Sequence, residues 1–146
     1  MSRRFTLAEA QGLVPRVQRL IEEAIALKSE YDEAGGELEA FQKRVMLMGG
    51  VTLDRERALQ ARQRRDNAAT RLRNAVETVQ QMGCIIKDLS IGLVDFPTTL
   101  RGVEVYLCWK LGETQIEYWH GVDEGFRGRK PIDQDFLDHH EGDPAD

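Results

Sequence analysis

Apolar residues recur at alternating intervals of three and four along two stretches of the first 82 residues. The first stretch carries them at Val17, Leu20, Ala24, Leu27, Tyr31, Ala34, Leu38, Phe41, Val45 and Met48. The second has the same spacing at Ala58, Ala61, Arg65, Ala68, Leu72, Ala75, Val79 and Met82. This spacing is typical of a coiled-coil seam. Because a short link favours antiparallel neighbours, residues 5–82 are predicted to form a long helical hairpin arm.

Several residues mark the ends and interruptions of these helices. Thr6 followed by Glu9 matches a capping box and predicts the helix start. Pro15 lacks a backbone N–H, so it predicts a kink or break after one or two turns. Gly35-Gly36 interrupts the seam without changing its phase, which predicts a weakened or kinked helix there. Gly49-Gly50 is expected to form the turn before a second helix over about 53–82.

Charges on the two predicted helices agree with their pairing. The first carries Glu22, Glu23, Glu30, Asp32, Glu33, Glu37 and Glu39. The second carries Arg55, Arg57, Arg62, Arg64, Arg65, Arg71 and Arg73. An arginine-rich helix could contact nucleic acid, but this one lacks aromatic stacking residues, so a solvated face is favoured. Since a hairpin leaves apolar surface uncovered, we expect a homodimer whose arms form a four-helix bundle.

The pattern changes to a two-residue period in the segment VEVYLCWKL at 103–111. Gly112-Glu113 can form a hairpin turn with glycine first, and Arg101-Gly102 can form another before this segment. The sequence therefore predicts an α+β fold in which a small antiparallel sheet follows the helices. Its three strands are expected near 91–98, 103–111 and 115–120, within a sheet module at 84–132.

The two turns assign side chains to the faces of the predicted sheet. The apolar face comprises Val94, Phe96, Val105, Leu107, Trp109, Ile116 and Tyr118, with His120 at its end. The opposite face carries a polar row in which Cys108 lies between Asp95 and Glu117. A slip of one residue would exchange the faces, so this row depends on the register.

The polar row supports two interpretations. Its carboxylates and thiol could hold a metal ion, or could form an acid–base pair with one raised pKa. For a divalent metal cofactor, the candidate ligands are Asp95, Glu117 and His120. Otherwise the row is a structural polar face, and His120 is a core histidine bonded to backbone or a carboxylate. No catalytic residue is identified.

The loop at 125–129, GFRGR, places two arginines between glycines. With Glu113, Arg127 and Arg129 could bind an anion or a partner, because guanidinium groups recognise carboxylates and phosphates in a bidentate manner. Alternatively, the two arginines could pair with internal carboxylates, and this interpretation is favoured. The acidic segment 133–146 is expected to be a flexible tail.

The composition of the chain limits the classes of protein to which it can belong. A chain of 146 residues with 41% apolar residues is expected to be one soluble globular domain, spanning 1–146. A net charge of −5 gives no general electrostatic attraction to nucleic acid or an anionic membrane. No apolar run reaches the roughly 20 residues that span a bilayer. Two cysteines and an N-terminus without an apolar signal core favour the cytoplasm.

The opening FTLAEAQGLVP and the later segments GLVDFP, VYLCWKLGE, YWH and DEGFRGR resemble a bacterial family of small proteins known as domain-of-unknown-function family 2203. The resemblance extends over nearly the whole chain. It implies five characteristic polar positions: Asp95, Glu113, His120, Arg127 and Arg129. It implies no activity, substrate or cofactor.

Two functions remain consistent with these observations. The heptads favour a non-enzymatic, dimeric interaction or structural protein, for which a protein partner can be envisaged. The alternative is a metal-binding protein or metal-dependent enzyme with a carboxylate and histidine site on the sheet. In the predicted register Asp95 and His120 lie on opposite faces. A joint site would therefore need a bulge or strand end that turns His120 over.

Overall fold

The computed structural model describes residues 3–49 and 52–144. Two long helices pack together and are followed by an antiparallel sheet, which confirms the predicted α+β class. The helices are α1 (Leu7–Met48), α2 (Thr52–Gln81) and α3 (Gln134–His139). The strands are β1 (Ile85–Asp88), β2 (Leu93–Leu100), β3 (Val103–Lys110), β4 (Tyr118–Gly121), β5 (Lys130–Pro131) and β6 (His140–Glu141). A 3-10 turn, Phe126–Gly128, lies between β4 and β5.

The start of α1 has the predicted capping box. Thr6 N donates to Glu9 Oε1 at 2.9 Å, and Glu9 N donates to Thr6 Oγ1 at 3.1 Å. The helix continues through Pro15, so the expected break there is wrong. Val14 and Val17 are both buried beside it, and their packing offsets the hydrogen bond that proline removes. Gly35-Gly36 also lies inside the uninterrupted helix.

The helix ends agree closely with the pattern of apolar residues. Gly49 has a φ of 73°, the left-handed conformation common after a helix C-terminus. The rest of the predicted turn, Gly50, lies outside the described residues.

Among the described residues, no helix combines the length and apolar character needed to cross a membrane.

Backbone contacts divide the chain into two compact bodies, which we describe separately. One comprises Met1–Glu22 and Val76–Asp146, and the other comprises Glu23–Ala75. In the second body, hereafter the arm, α1 and α2 pack through a narrow seam of five alanines and two leucines. The seam comprises Ala24, Leu27, Ala34, Leu38, Ala61, Ala68 and Ala75. Small residues allow the two backbones to approach closely.

Ion pairs join the two helices of the arm. Arg64 lies 2.7 Å from Glu37, and Arg44 lies 3.3 Å from Asp54. The Arg64–Glu37 pair has the predicted polarity, with the acid on α1 and the arginine on α2, whereas the Arg44–Asp54 pair has the reverse polarity. Their side chains are largely solvent-accessible, so they contribute orientation more than stability.

The first body contains a sheet of six strands, not three as predicted. The strands follow the order β1-β2-β3-β4-β5, and β6 pairs with β2. Three of the strands were not predicted: β1, β5 and β6. β5 and β6 are only two residues long, and β1 only four, so none is long enough to show a clear periodic signal.

The predicted register is right between β2 and β3 and is wrong by one residue between β3 and β4. Asp95 lies opposite Cys108, as expected. However, Cys108 lies opposite Tyr118 instead of Glu117, and Tyr106 lies opposite His120. Consequently, Tyr118 and His120 occupy the face expected to be the polar one.

The register changes because residues 111–117 do not form a tight hairpin. Trp109 Nε1 donates to the Glu113 carbonyl at 2.9 Å, and Lys110 N donates to the Glu113 side chain at 2.7 Å. Farther along, Ile116 N donates to Gln11 Oε1 at 2.7 Å, so Ile116 is buried outside any strand. β4 therefore begins later than a two-residue turn would require.

The acidic C-terminal segment differs from the expected flexible tail, because residues 133–143 dock onto the rest of this body. Asp133 caps α3 by accepting from Phe136 N at 2.8 Å. Phe136 is 1% exposed, and its ring lies 5.3 Å from Trp119 and 5.2 Å from His140. His140 Nε2 accepts from Leu7 N at 3.0 Å, which adds a cap to α1.

Candidate metal centre

Three neighbouring strands of the first body bring a carboxylate, a thiol and an imidazole together. Asp95 on β2 and Cys108 on β3 are paired across the sheet, and His120 on β4 shares their face because of the observed register. His120 Nε2 lies 3.0 Å from Asp95 Oδ1. One potential ligand atom from each residue lies within 4.8 Å of the other two. We call these three residues the Asp–Cys–His cluster.

The cluster is closed to solvent. Asp95 and Cys108 are each 0% exposed, and His120 is 2% exposed. Tyr106 lies against His120 with its ring centroid 5.6 Å away, and Lys87 Nζ lies 5.0 Å from the Tyr106 ring. Large side chains on this face therefore exclude water from three polar groups.

Hydrogen bonding restricts the protonation state of His120. Its Nδ1 lies 2.8 Å from the carbonyl oxygen of Gly121. A carbonyl oxygen only accepts, so Nδ1 must carry a proton. The contact between Nε2 and Asp95 Oδ1 then holds one further proton, which belongs to either an imidazolium or a carboxylic acid. The imidazole is thus oriented with Nε2 directed at the other members of the cluster.

The second oxygen of Asp95, Oδ2, accepts no hydrogen bond from any described residue. Burial raises the pKa of the Asp95 carboxyl group, while His120, the Cys108 thiol and Lys87 act in the opposite direction. The thiol favours the ionised carboxylate because it acts as a hydrogen-bond donor towards Asp95. A buried carboxylate oxygen without a partner is rare and needs a physical explanation.

The Cys108 thiol is protonated at neutral pH. Burial, followed by the charge of Asp95, raises its pKa to about 12. A thiol in this state is a poor nucleophile, because the thiolate is the reactive form. A bound cation would change this, since metal ligation requires the thiolate and lowers its pKa.

The sequence-predicted metal ligands are only partly brought together. Asp95 and His120 are in contact, whereas Glu117 is exposed and lies outside the cluster. Cys108 occupies the third position. It was visible in the sequence as the centre of the predicted polar row. The one-residue difference in register explains both the loss of Glu117 and the approach of His120.

The predicted anion-binding residues form an internal contact instead of an open pair of arginines. Arg129 Nη2 lies 2.7 Å and 2.8 Å from the two carboxylate oxygens of Glu113. The same nitrogen donates to the Cys108 carbonyl at 3.2 Å, and the guanidinium lies 4.2 Å from the centre of the Tyr118 ring. Glu113 thus neutralises Arg129 beside the cluster. Arg127 lies exposed on the 3-10 turn, apart from this pair.

Cys84, the second cysteine, is also buried and free. Burial raises the pKa of its thiol to about 12, as for Cys108. It is not part of the cluster formed by the described residues. The chain therefore provides an internal comparison between a buried thiol beside potential ligands and one without them.

Comparisons with curated proteins and with solved structures return no match. Residues 3–132 match the family described as an uncharacterized conserved protein (DUF2203), so the chain belongs to this family.

Proposed function

We propose that this protein binds one divalent metal ion of the zinc type through Asp95, Cys108 and His120. The observation that carries the proposal is the convergence of three donor atoms within 4.8 Å around a buried carboxylate oxygen that has no other partner among the described residues. A mixed set of sulfur, nitrogen and oxygen ligands suits Zn²⁺. A cation would supply the partner that Asp95 Oδ2 lacks.

The hydrogen bond of His120 supports the same proposal. Histidines that bind metals usually donate their other ring N–H to a carbonyl or carboxylate, which orients the ring. Here Nδ1 donates to Gly121, so Nε2 faces Asp95 and can exchange the proton held between them for a metal. Metal binding would release one proton from the thiol and one from the imidazole–carboxylate pair.

The closed surroundings favour a structural or sensory metal over a hydrolytic one. Catalytic zinc has three protein ligands and keeps an open coordination position that a substrate can reach. A closed structural site needs four donor atoms, which these three side chains would supply with Asp95 bound through both carboxylate oxygens. The three side chains of the cluster are almost completely buried, and Tyr106 and Tyr118 flank them. The metal would therefore tie β2, β3 and β4 together. A reducing compartment such as the cytoplasm suits this role, because the thiol must remain reduced.

Metal content tests this proposal most directly. The untagged full-length chain is purified without chelators, and its metal is quantified by mass spectrometry. The apoprotein is then titrated with Co²⁺, whose thiolate charge-transfer absorption reports a sulfur ligand. We expect near-stoichiometric binding and this absorption in the native chain. A chain that neither carries metal nor shows the absorption would overturn the proposal.

Matched variants locate the site. Cys108→Ser should remove the charge-transfer absorption, whereas Cys84→Ser, at the other buried thiol, should retain it. Asp95→Asn should weaken Co²⁺ binding while keeping a neutral side chain of the same shape, and exposed Glu117→Gln should have no effect. Circular dichroism checks that each variant is folded. Equal loss of absorption in both cysteine variants would contradict the assignment of Cys108.

A further inference from the structure

The arm has a thin core for its length. Two packed helices each bury one stripe, and in the arm most of that stripe is alanine, which contributes little apolar area. Large apolar side chains are instead exposed near the turn between α1 and α2. They are Met46 (86% exposed), Leu47 (72%), Met48 (73%), Leu53 (51%) and Leu59 (56%). Exposed apolar residues in this number mark an interaction surface.

A groove of about 530 Å³ runs between the helices near this end of the arm. Its lining includes Leu38, Val45, Met46 and Leu59, together with Arg55 and Arg62. The groove is thus mainly apolar with positive charge at its side. The flexible side chain of Met46 in this lining can adapt its shape to another apolar surface.

The two helices of the arm carry opposite charges that are only partly neutralised within the arm. On α1, three glutamates form no ion pair or hydrogen bond with a described residue: Glu30, Glu33 and Glu39. On α2, three arginines are equally unpaired among the described residues: Arg57, Arg62 and Arg73. The arm therefore has one acidic helix and one basic helix with charges still to be compensated.

We infer that a second copy of this chain covers the arm, as an antiparallel four-helix bundle about a two-fold axis. In this arrangement the acidic α1 of each copy lies along the basic α2 of the other, and the exposed methionines and leucines are buried between them. A two-fold interface uses the same surface twice, so it must be self-complementary. A nucleic acid or an acidic peptide would compensate the arginines but would be repelled by the glutamates.

The size of the surface is adequate for such a dimer. Each helix of the arm is about 35–40 Å long, and two helices of about 10 Å width offer roughly 700 Å² on one face. A standard stable interface buries about 800 Å² on each partner. The inference is independent of the proposed metal site, since the cluster belongs to the other body.

Mass measurement and charge reversal test this inference on the full chain. Multi-angle light scattering and sedimentation equilibrium, at low to high micromolar concentration, should give the mass of a dimer. Reversing the arginines in R57E/R62E/R73E should weaken the dimer at least about tenfold, because like charges then face each other. Reversing the glutamates in E30R/E33R/E39R should have the same effect. The matched control R127E, at an exposed arginine outside the arm, should leave the mass unchanged.

Mixing the two reversed proteins makes the test specific. One has two acidic helices in its arm and the other has two basic helices, so together they restore every attractive contact. We expect a heterodimer of about native affinity, even though neither protein associates with itself. Recovery also shows that the variants are folded. A native chain that remains monomeric at high concentration would overturn the inference, as would a mixture that does not associate.

Discussion

His120 and Asp95 share a single proton across 3.0 Å, because the other ring nitrogen of His120 already donates its proton to the Gly121 carbonyl. The pair is buried beside a protonated thiol and a carboxylate oxygen that has no partner among the described residues. A cation that enters this cluster must therefore displace protons. This exchange makes metal binding sensitive to pH.

Metal affinity should rise steeply with pH. Binding releases the proton of the Cys108 thiol, so the affinity for Zn²⁺ should increase at least about tenfold per pH unit near neutrality. Competition with a chromophoric chelator across several pH values measures this slope. Calorimetry in buffers of different ionisation enthalpy counts the protons directly. An affinity independent of pH would show that the thiol does not ligate the metal.

The metal-free protein should lose stability in alkali. Burial raises the pKa of Cys84 and of Cys108 from 9.0 to about 12 in the folded protein. The folded state thus holds these protons more tightly than the unfolded state, so the free energy of unfolding falls as pH rises from about 9 towards 12. Each thiol should contribute a loss of about 1.4 kcal/mol per pH unit.

Urea unfolding of the metal-free protein between pH 8 and 11 measures this loss. C84A and C108A should each remove one part of the pH dependence, and the double variant should remove both parts. Native and double-variant proteins with parallel stability profiles would contradict this prediction.

Replacing glycine by alanine should lower the stability at one position and raise it at another. A Cβ at Gly142 would lie 2.6 Å from Thr6 N and 2.8 Å from the Phe5 carbonyl carbon, which are backbone atoms that cannot move cheaply. Gly142→Ala should therefore destabilise the fold and loosen the C-terminal segment. Gly36 is helical, and a Cβ added there would point into open space, so Gly36→Ala should stabilise by about 0.5–1 kcal/mol. Thermal unfolding of both variants measures the change in stability relative to the native protein. A change in the same direction for both variants would contradict the observed packing.

Phe136 should be the main anchor of the C-terminal segment. It is 1% exposed and contacts the rings of Trp119 and His140, so Phe136→Ala should cost about 3–5 kcal/mol of unfolding free energy. Its neighbour Leu137 is 42% exposed, and Leu137→Ala serves as the control with a much smaller effect. Urea unfolding gives the energies, and hydrogen exchange shows whether residues near 133–143 are released. Equal effects of the two variants would exclude the anchoring role.

The sequence predicted those parts of the sheet that depend on local chemistry. The turn between β2 and β3 is formed by Arg101 and Gly102, with φ values of 51° and 81°. Glycine at such a turn is a local signal, and it was enough to pair Asp95 with Cys108 correctly. The heptad spacing likewise predicted both long helices.

The register of β4 could not be predicted in this way. It depends on Glu113, whose side chain bonds the end of β3, and on Gln11, which bonds Ile116 from 105 positions away. No local pattern contains a contact of that range. The candidate ligands Asp95 and His120 could thus be identified from their residue types. The contact between their side chains could not be predicted. The docking of residues 133–143 was missed for a similar reason, since its anchor is a single aromatic residue in an acidic segment.

The contact between Leu7 and His140 has a consequence for the order of folding. The two residues are 133 positions apart, and Arg4 N bonds the Asp143 side chain across 139 positions. Contacts between such distant residues form slowly, because the long chain between them must first be ordered. The helices contain mainly local contacts and can form early during synthesis. The bond between Leu7 N and His140 can form only after residue 140 has left the ribosome, so this cap should be added to α1 after the helix itself has formed.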